Sequence, residues 1–198
     1  MKRSDYRCFC NTNFLDDALY QSMLIPENQF VGKGLMVSDD GSYTVDLEEF
    51  TLKNRYKDNS VLLTALPTSL AKVIEVTKNR LIREGLKNPV AFNIRALVNP
   101  ESDPMSRGHG WHKDYNCVPH IDDPLKLWIT MMVLSNDASD STFMVSPGPE
   151  GPGLWNIGYK KIVCPNMLFA HNMNLGHEYI AGAKNNLSLL YIRWYDTD

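Results

Sequence analysis

The stretch Leu127-Trp-Ile-Thr-Met-Met-Val-Leu134 is almost wholly apolar and carries no charged side chain. A short apolar run of this composition is typical of a buried strand. Similar short runs, separated by turn residues, fill the sequence after Pro89. We predict strands over residues 91–98, 125–134, 142–145, 160–163, 167–171 and 187–195. Many short strands at near-even spacing predict an antiparallel β-sandwich or barrel.

The sequence before Pro89 has mainly helical patterns. A short helix is predicted over residues 13–24, with Thr12 or Asn13 as its cap. A long amphipathic helix is predicted over residues 68–85, where apolar side chains recur at helical spacing; they are Leu70, Val73, Ile74, Leu81 and Ile82, with Thr77 among them. Residues 31–43 predict turns with short strands. We therefore predict one mainly β, α+β domain, in which a mixed helical segment (1–88) supports a β-core (89–198).

Composition and charge disfavour several classes of function. The 198-residue chain has a formal net charge of -3 with scattered charges, so it lacks the basic stripe of a nucleic-acid-binding protein. No apolar run has the length of a membrane span. Cys8-x-Cys10 lacks the second close pair that a structural zinc site needs, so the four cysteines are interpreted as free thiols. We expect a cytoplasmic protein without membrane or nucleic-acid partners.

The segment Gly110-Trp111-His112-Lys113-Asp114 carries the candidate chemistry. In an extended strand successive side chains alternate between faces, so His112 and Asp114 point the same way. One imidazole and one carboxylate suit a divalent metal, and a further histidine would complete the two-His, one-carboxylate triad that leaves positions open on iron(II). The tripeptide alone is a weak signal, and its setting between a strand and the apolar run 127–134 strengthens it.

From residue 93 to residue 194 the order of motifs resembles the 2-oxoglutarate- and iron(II)-dependent oxygenases. The strand 92–98 precedes the H-x-D motif, and Leu134-Ser-Asn-Asp137 followed by Ser141-Thr142-Phe143 is similar to a passage of that family. A distal histidine and a final strand with a basic residue follow. The resemblance implies a double-stranded β-helix of the jelly-roll or cupin-like kind.

Two histidines compete for the distal metal position. Pro165-Asn-Met-Leu-Phe-Ala170 resembles the family's turn and apolar strand before that ligand, and the spacing favours His177 over His171. The resemblance thus implies His112, Asp114 and His177 as metal ligands, with His171 as a pocket residue or a group that supports the ligands.

The residue that would anchor 2-oxoglutarate also has alternatives. Arg193, in the final strand, could bind the distal carboxylate with its guanidinium fork. Many family members instead carry the base two residues before a serine, where this sequence has Asn186. Arg95 is the second candidate and Lys184 a weaker third.

The resemblance implies hydroxylation of a peptidyl or small-molecule substrate, with iron(II), 2-oxoglutarate and O2, releasing succinate and CO2. Because Asp114 is present, hydroxylation is favoured over halogenation. The motif setting is nearest to the prolyl-hydroxylase-like branch. Two alternatives stay open: a cupin-like metal enzyme that does not use 2-oxoglutarate, and a non-catalytic β-sandwich binding module.

Overall fold

The computed structural model describes residues 8–24, 35–37, 43–46, 68–97, 109–112, 123–136, 142–145, 159–180 and 187–197. Two α-helices and eleven strands lie in these segments. The helices are α1 (Asp17–Met23) and α2 (Thr68–Arg83). The strands are β1 (Cys8–Asn11), β2 (Leu35–Val37), β3 (Tyr43–Asp46), β4 (Pro89–Leu97), β5 (His109–His112), β6 (Leu127–Asn136), β7 (Thr142–Val145), β8 (Tyr159–Ile162), β9 (Leu168–Asn172), β10 (His177–Ile180) and β11 (Leu187–Asp196).

The strands form two antiparallel sheets. The seven-stranded sheet has the order β1-β9-β6-β11-β4-β3-β2, and the four-stranded sheet has the order β5-β10-β7-β8. The β-run 125–134 opens with a single 3-10 turn, Pro124–Lys126, before β6 begins. All the pairings between described strands are antiparallel, so the expectation of a mainly β, antiparallel chain with few helices is confirmed.

The six strands predicted after Pro89 are all present, with ends displaced by no more than about two residues, as is usual for element boundaries. Four strands were not predicted, or lie almost wholly outside the predicted ranges. No strand was predicted over residues 109 and 110, yet His109 and Gly110 lie in β5. Strands β1 and β10 were also missed, and β3 lies almost wholly beyond residue 43, where the predicted turns and short strands end.

Each face of the seven-stranded sheet covers its own apolar cluster. One face packs against α1 and α2 through a cluster that includes Leu19, Leu70, Met132 and Trp194. The other face turns toward the four-stranded sheet, and Phe143 of β7 meets Phe169 of β9 with ring centroids 4.8 Å apart. This second cluster, which we call the inter-sheet core, contains Leu127, Ile129, Met131, Val133, Phe143, Val145, Val163, Met167, Phe169, Met173 and Leu175.

Helix α1 begins later than predicted. Its N-cap is Asp16, whose carboxylate accepts a hydrogen bond from the backbone N–H of Leu19, whereas Thr12 or Asn13 was expected. The reason lies in Asn166, whose backbone and side chain bind the N–H groups of Phe14 and Leu15. With those donors engaged by a distant residue, the helix starts at the next available cap.

Helix α2 buries the predicted side chains Leu70, Val73, Ile74, Thr77 and Leu81. Ile82, predicted for the same face, is 40% exposed. The helix ends where Gly85 adopts a φ of 101° and donates its N–H to the carbonyl of Ile82. Glycine takes this left-handed conformation without a Cβ penalty, so it closes the helix as expected.

Neither helix in the described part of the chain has the length and apolarity to cross a bilayer. Cys8, Cys10 and Cys164 are free thiols, and Cys117 lies outside the described residues. The proposed division at residue 88 remains a prediction.

Asn166 provides a test of the fold. Its side chain is buried; it accepts a hydrogen bond from the Leu15 N–H at 2.9 Å and donates one to the Leu15 carbonyl at 2.8 Å. It also has a positive φ of 54°, which glycine tolerates. Asn166→Gly therefore removes two buried hydrogen bonds without backbone strain, and we expect the free energy of unfolding in urea to fall by about 2 to 4 kcal/mol.

Asn13→Gly is the matched control for this substitution. Asn13 also has a positive φ, 49°, but its side chain is exposed. We expect a change of less than about 1 kcal/mol in the same urea titration, since only backbone entropy and the left-handed preference are altered. Equal losses in the two variants would contradict the role given to the Asn166 side chain.

Candidate functional site

His177 begins strand β10 and is almost fully buried at 3% exposure. Its Cα pairs with Val145 of β7 on one side and with His112 of β5 on the other. Its imidazole lies 5.7 Å from the ring of Phe143, a member of the inter-sheet core. The imidazole of His177 therefore belongs to the space between the two sheets.

The register brings His112 and His177 together. They are direct Cα partners in the antiparallel pair β5–β10. Residues in such a pair lie on the same face of the sheet, with Cα atoms about 4.5 to 5.5 Å apart. The first residue of the H-x-D motif thus lies directly across from the favoured distal histidine, although 65 positions separate them in sequence.

The turn before His177 is held by Asn172. Its side chain donates to the carbonyl of Leu125 at 3.0 Å and accepts from the N–H of Asn174 at 2.9 Å. Its own carbonyl accepts from the N–H of Leu175. Asn172 is 0% exposed, and these bonds fix the path of the chain from β9 into β10.

His171 approaches the same point from the opposite sheet. It lies in β9, is 0% exposed, and places its ring centroid 4.5 Å from that of His177. Phe143 packs on both rings, at 5.9 Å from His171 and 5.7 Å from His177. The two histidines that compete for the distal position in the sequence are therefore neighbours in space.

Arg193 shares a cross-strand row with His171. Ile129 of β6 pairs with His171 on one side and with Arg193 of β11 on the other, and Arg193 pairs onward with Asn93. Two strand spacings separate the Cα atoms of His171 and Arg193, which is about 10 Å. Arg193 has the parity of Tyr191 and Tyr195, which pack on the inter-sheet core.

The side chain of Arg193 is partly buried, and its guanidinium carbon lies 5.6 Å from the centroid of the Tyr191 ring. A bulge within β11 would reverse the side-chain alternation beyond it. Register shifts occur beside β11, but the extra residues are Phe92 in β4 and Leu134 in β6. The alternation within β11 is therefore undisturbed, with Arg193 on the face toward the four-stranded sheet.

The other predicted site residues are placed as follows. Arg95 lies in β4 with its Cα paired to Tyr191, which is two residues before Arg193 in β11. Asp114, Lys184 and Asn186 lie outside the described residues. Among the described residues, no group of three or more His, Cys, Asp or Glu side chains has the arrangement of a metal site.

Thiols lie close to this region. Cys8 of β1 pairs with His171, and burial raises the pKa of the Cys8 thiol, with a further contribution from Cys10. Burial also raises the pKa of the Cys164 thiol. A thiol with a raised pKa stays protonated at neutral pH, which makes it a poor nucleophile and a poor metal ligand.

Two residues of the site were not found from the sequence. Phe143 was noted only as part of a motif, and its contact with both imidazoles depends on how the two sheets face each other. Asn172 was not considered, although Asn-x-Asn at residues 172–174 is a local signal for a turn closed by an asparagine side chain.

Comparisons with known proteins give a result at the level of structure. No protein-family model matches the sequence, and no curated protein sequence matches it significantly. Solved structures do match over nearly the whole chain.

Three similar structures illustrate the match. The α-ketoglutarate-dependent epimerase SnoN from nogalamycin biosynthesis has a TM-score of 0.57 at 13% identity, over 98% of this chain and 79% of its own. A prolyl-4-hydroxylase from Pseudomonas putida has a TM-score of 0.52 at 13% identity, and the match covers 98% of this chain and 95% of the hydroxylase. The non-haem monooxygenase ThoJ, solved with nickel, has a TM-score of 0.60 at 10% identity, and the match covers 97% of this chain and 74% of ThoJ. The chain therefore has the fold of the non-haem iron, 2-oxoglutarate-dependent enzymes, as its motif order predicted.

Proposed function

We propose that this protein is an iron(II)- and 2-oxoglutarate-dependent oxygenase that hydroxylates a peptidyl or small-molecule substrate. The observation that carries the proposal is the pairing of His112 with His177 in adjacent strands, with the His177 ring buried between the sheets. The shared fold adds support, since SnoN has been crystallised with Fe3+ and α-ketoglutarate.

The strand order also supports a double-stranded β-helix core. Counted from β4 as the first of eight strands, one sheet contains the first, eighth, third and sixth, and the other contains the second, seventh, fourth and fifth. Eight strands shared between two facing sheets by long crossing connections are what a jelly roll requires. In this arrangement His112 and His177 belong to the second and seventh strands.

The donor set fits iron(II). Two imidazoles and one carboxylate, from His112, His177 and Asp114, would hold iron(II) and leave positions open for other ligands. Nδ1 of His177 lies 3.4 Å from the carbonyl of Leu175, and a proton on Nδ1 would give Nε2 the lone pair that a metal ligand needs. When bound, iron(II) would supply the oxidative chemistry that couples decarboxylation of 2-oxoglutarate to hydroxylation of substrate.

The chain itself supplies binding and exclusion of water. Arg193 would hold the distal carboxylate of 2-oxoglutarate with its guanidinium fork, on the sheet face that His171 also occupies. Ile129 lies between these two residues in the row and is fully buried. An apolar side chain next to the cosubstrate would exclude water and so strengthen the ion pair between Arg193 and the carboxylate.

The metal site can be tested without knowing the substrate. We expect His177→Ala to weaken Co(II) binding, measured by anaerobic calorimetry, by at least about 100-fold, because loss of a ligand costs more than loss of a supporting residue. Glu178→Ala is the matched control, since it removes a possible ligand that points to the other face of the same strand. Tight binding in His177→Ala with loss in Glu178→Ala would place the metal elsewhere.

The anchor can be tested with the charge-transfer absorbance that 2-oxoglutarate produces on anaerobic Fe(II) protein. We expect Arg193→Gln to weaken 2-oxoglutarate binding by roughly 30-fold or more, as loss of a desolvated ion pair costs about 2 to 5 kcal/mol. Fe(II) affinity should be unchanged. Arg83→Gln, on the exposed end of α2, is the control. A larger effect in Arg95→Gln or Lys184→Gln would move the anchor to that residue.

The reaction itself is tested by succinate release from 2-oxoglutarate with Fe(II), ascorbate and O2. We expect slow release without substrate and its loss in Asp114→Ala, which removes the carboxylate ligand. A protein that binds Fe(II) but shows neither charge-transfer absorbance nor succinate would be the cupin-like alternative. A protein that binds no metal would be a β-sandwich binding module.

A further inference from the structure

We propose that the aromatic ring of Tyr191 positions Arg193 for binding of 2-oxoglutarate. The ring holds the guanidinium group by its face, and the N–H donors in the plane of that group bind the distal carboxylate of the cosubstrate. This inference rests on the cosubstrate site of the proposed function. Tyr191 acts through Arg193 and is therefore a positioning residue.

Strand geometry brings the two side chains together. Tyr191 and Arg193 are two residues apart in β11, so they lie on the same face with Cα atoms about 6.7 Å apart. The guanidinium carbon of Arg193 lies over the Tyr191 ring, 5.6 Å from its centroid. A guanidinium within about 6 Å of a ring centroid is attracted by the negative face of the ring. The two groups therefore lie within the range of a cation–π interaction.

The Tyr191 ring is held in place by its strand and by packing. Its Cα pairs with Met131 of β6 on one side and with Arg95 of β4 on the other. The half-buried side chain packs on the inter-sheet core. An anchored ring restricts the rotamers of the arginine beside it. Because Arg193 is already ordered, it loses less conformational entropy when it binds a ligand.

The face and the plane of a guanidinium group have separate uses. Its five N–H donors lie in the plane, whereas an aromatic ring contacts the face. A carboxylate bound in bidentate fashion needs two parallel N–H donors in that plane. The contact with Tyr191 therefore does not compete with a carboxylate for the donors of Arg193.

Arg80 shows both kinds of contact together in this chain. Its guanidinium carbon lies 5.1 Å from the centroid of the Phe9 ring. Its N–H donors bind the carboxylate of Glu84 and, at 3.0 Å, the side-chain oxygen of Asn11. At Arg80 the carboxylate belongs to the protein. In the proposed site, the carboxylate beside Arg193 is that of the cosubstrate.

The first measurement is the affinity for 2-oxoglutarate, from charge-transfer absorbance on the anaerobic Fe(II) protein. We expect Tyr191→Leu to weaken binding by about 3-fold to 10-fold, because a cation–π interaction between partly buried groups is lost. Tyr191→Phe keeps the ring and should stay within about 2-fold of the native affinity. Fe(II) affinity should be the same in all three proteins. Tyr191→Met replaces the leucine variant if that variant does not fold.

Phe9→Leu is the matched control. It removes the ring beside the other guanidinium group, that of Arg80, and Phe9 is also partly buried against an apolar cluster. We expect this variant to lower the midpoint of thermal unfolding and to leave the affinity for 2-oxoglutarate unchanged. The control thus separates general destabilisation from an effect on the site.

The second measurement needs neither metal nor cosubstrate. It is the Nε–H resonance of Arg193 in the ¹⁵N-labelled protein, assigned by its absence in Arg193→Gln. A nearby aromatic ring shifts such a resonance through its ring current. We expect the shift to be kept in Tyr191→Phe and in Phe9→Leu, and to change in Tyr191→Leu.

The outcomes separate this inference from the proposed function. Equal losses of affinity in Tyr191→Leu and Tyr191→Phe would assign the effect to the hydroxyl and overturn the role of the ring. Native affinity in Tyr191→Leu, with weak binding in Arg193→Gln, would overturn this inference alone. A native protein that binds no 2-oxoglutarate would overturn the proposed function and this inference together, even where the resonance shows the contact between Tyr191 and Arg193.

Discussion

The structure depends on the alternation of side chains along β11, which is hydrogen-bonded to β4 on one side and to β6 on the other. A strand paired on both sides cannot shift its register without breaking two ladders. Leu190, Ile192 and Trp194 therefore face the helices, while Arg193 faces the other sheet. The Trp194 indole N–H donates to the buried hydroxyl of Thr130 in β6 at 2.8 Å, which adds a directional bond to the apolar packing.

The interior between the sheets is otherwise apolar. Burying polar residues there costs free energy, and it also makes the interactions between them stronger. His171 and His177 are buried among aromatic and aliphatic side chains, with Arg193 partly buried in the same row. Charged or metal-bound groups interact strongly in such a medium because water does not screen them. A metal and a dicarboxylate placed there would be held by few residues, with orientation set by the rigid strands.

The residues that support the site matter as much as those that would touch a ligand. Asn172 joins the turn before His177 to the start of β6, and Asn166 joins the segment before α1 to the turn before β9. Both are buried asparagines that use side-chain oxygen and nitrogen together. They convert two flexible connections into fixed ones, so the strands that carry the histidines keep a single relative position.

The sequence by itself predicted most of the element types, and it predicted a metal chemistry that stays a prediction. The apolar runs after Pro89 predicted the strands, since alternation and β-branched residues are local properties, and the motifs around His112 and His177 predicted the metal chemistry. Three features needed the tertiary structure: the partnership of His112 with His177, the row from His171 to Arg193, and the cap at Asp16. Each depends on which distant strand lies alongside, and pairing partners are set by the packing of whole sheets rather than by nearby residues. For the same reason the choice between His171 and His177, posed by the sequence as an alternative, became in three dimensions a contact between the two.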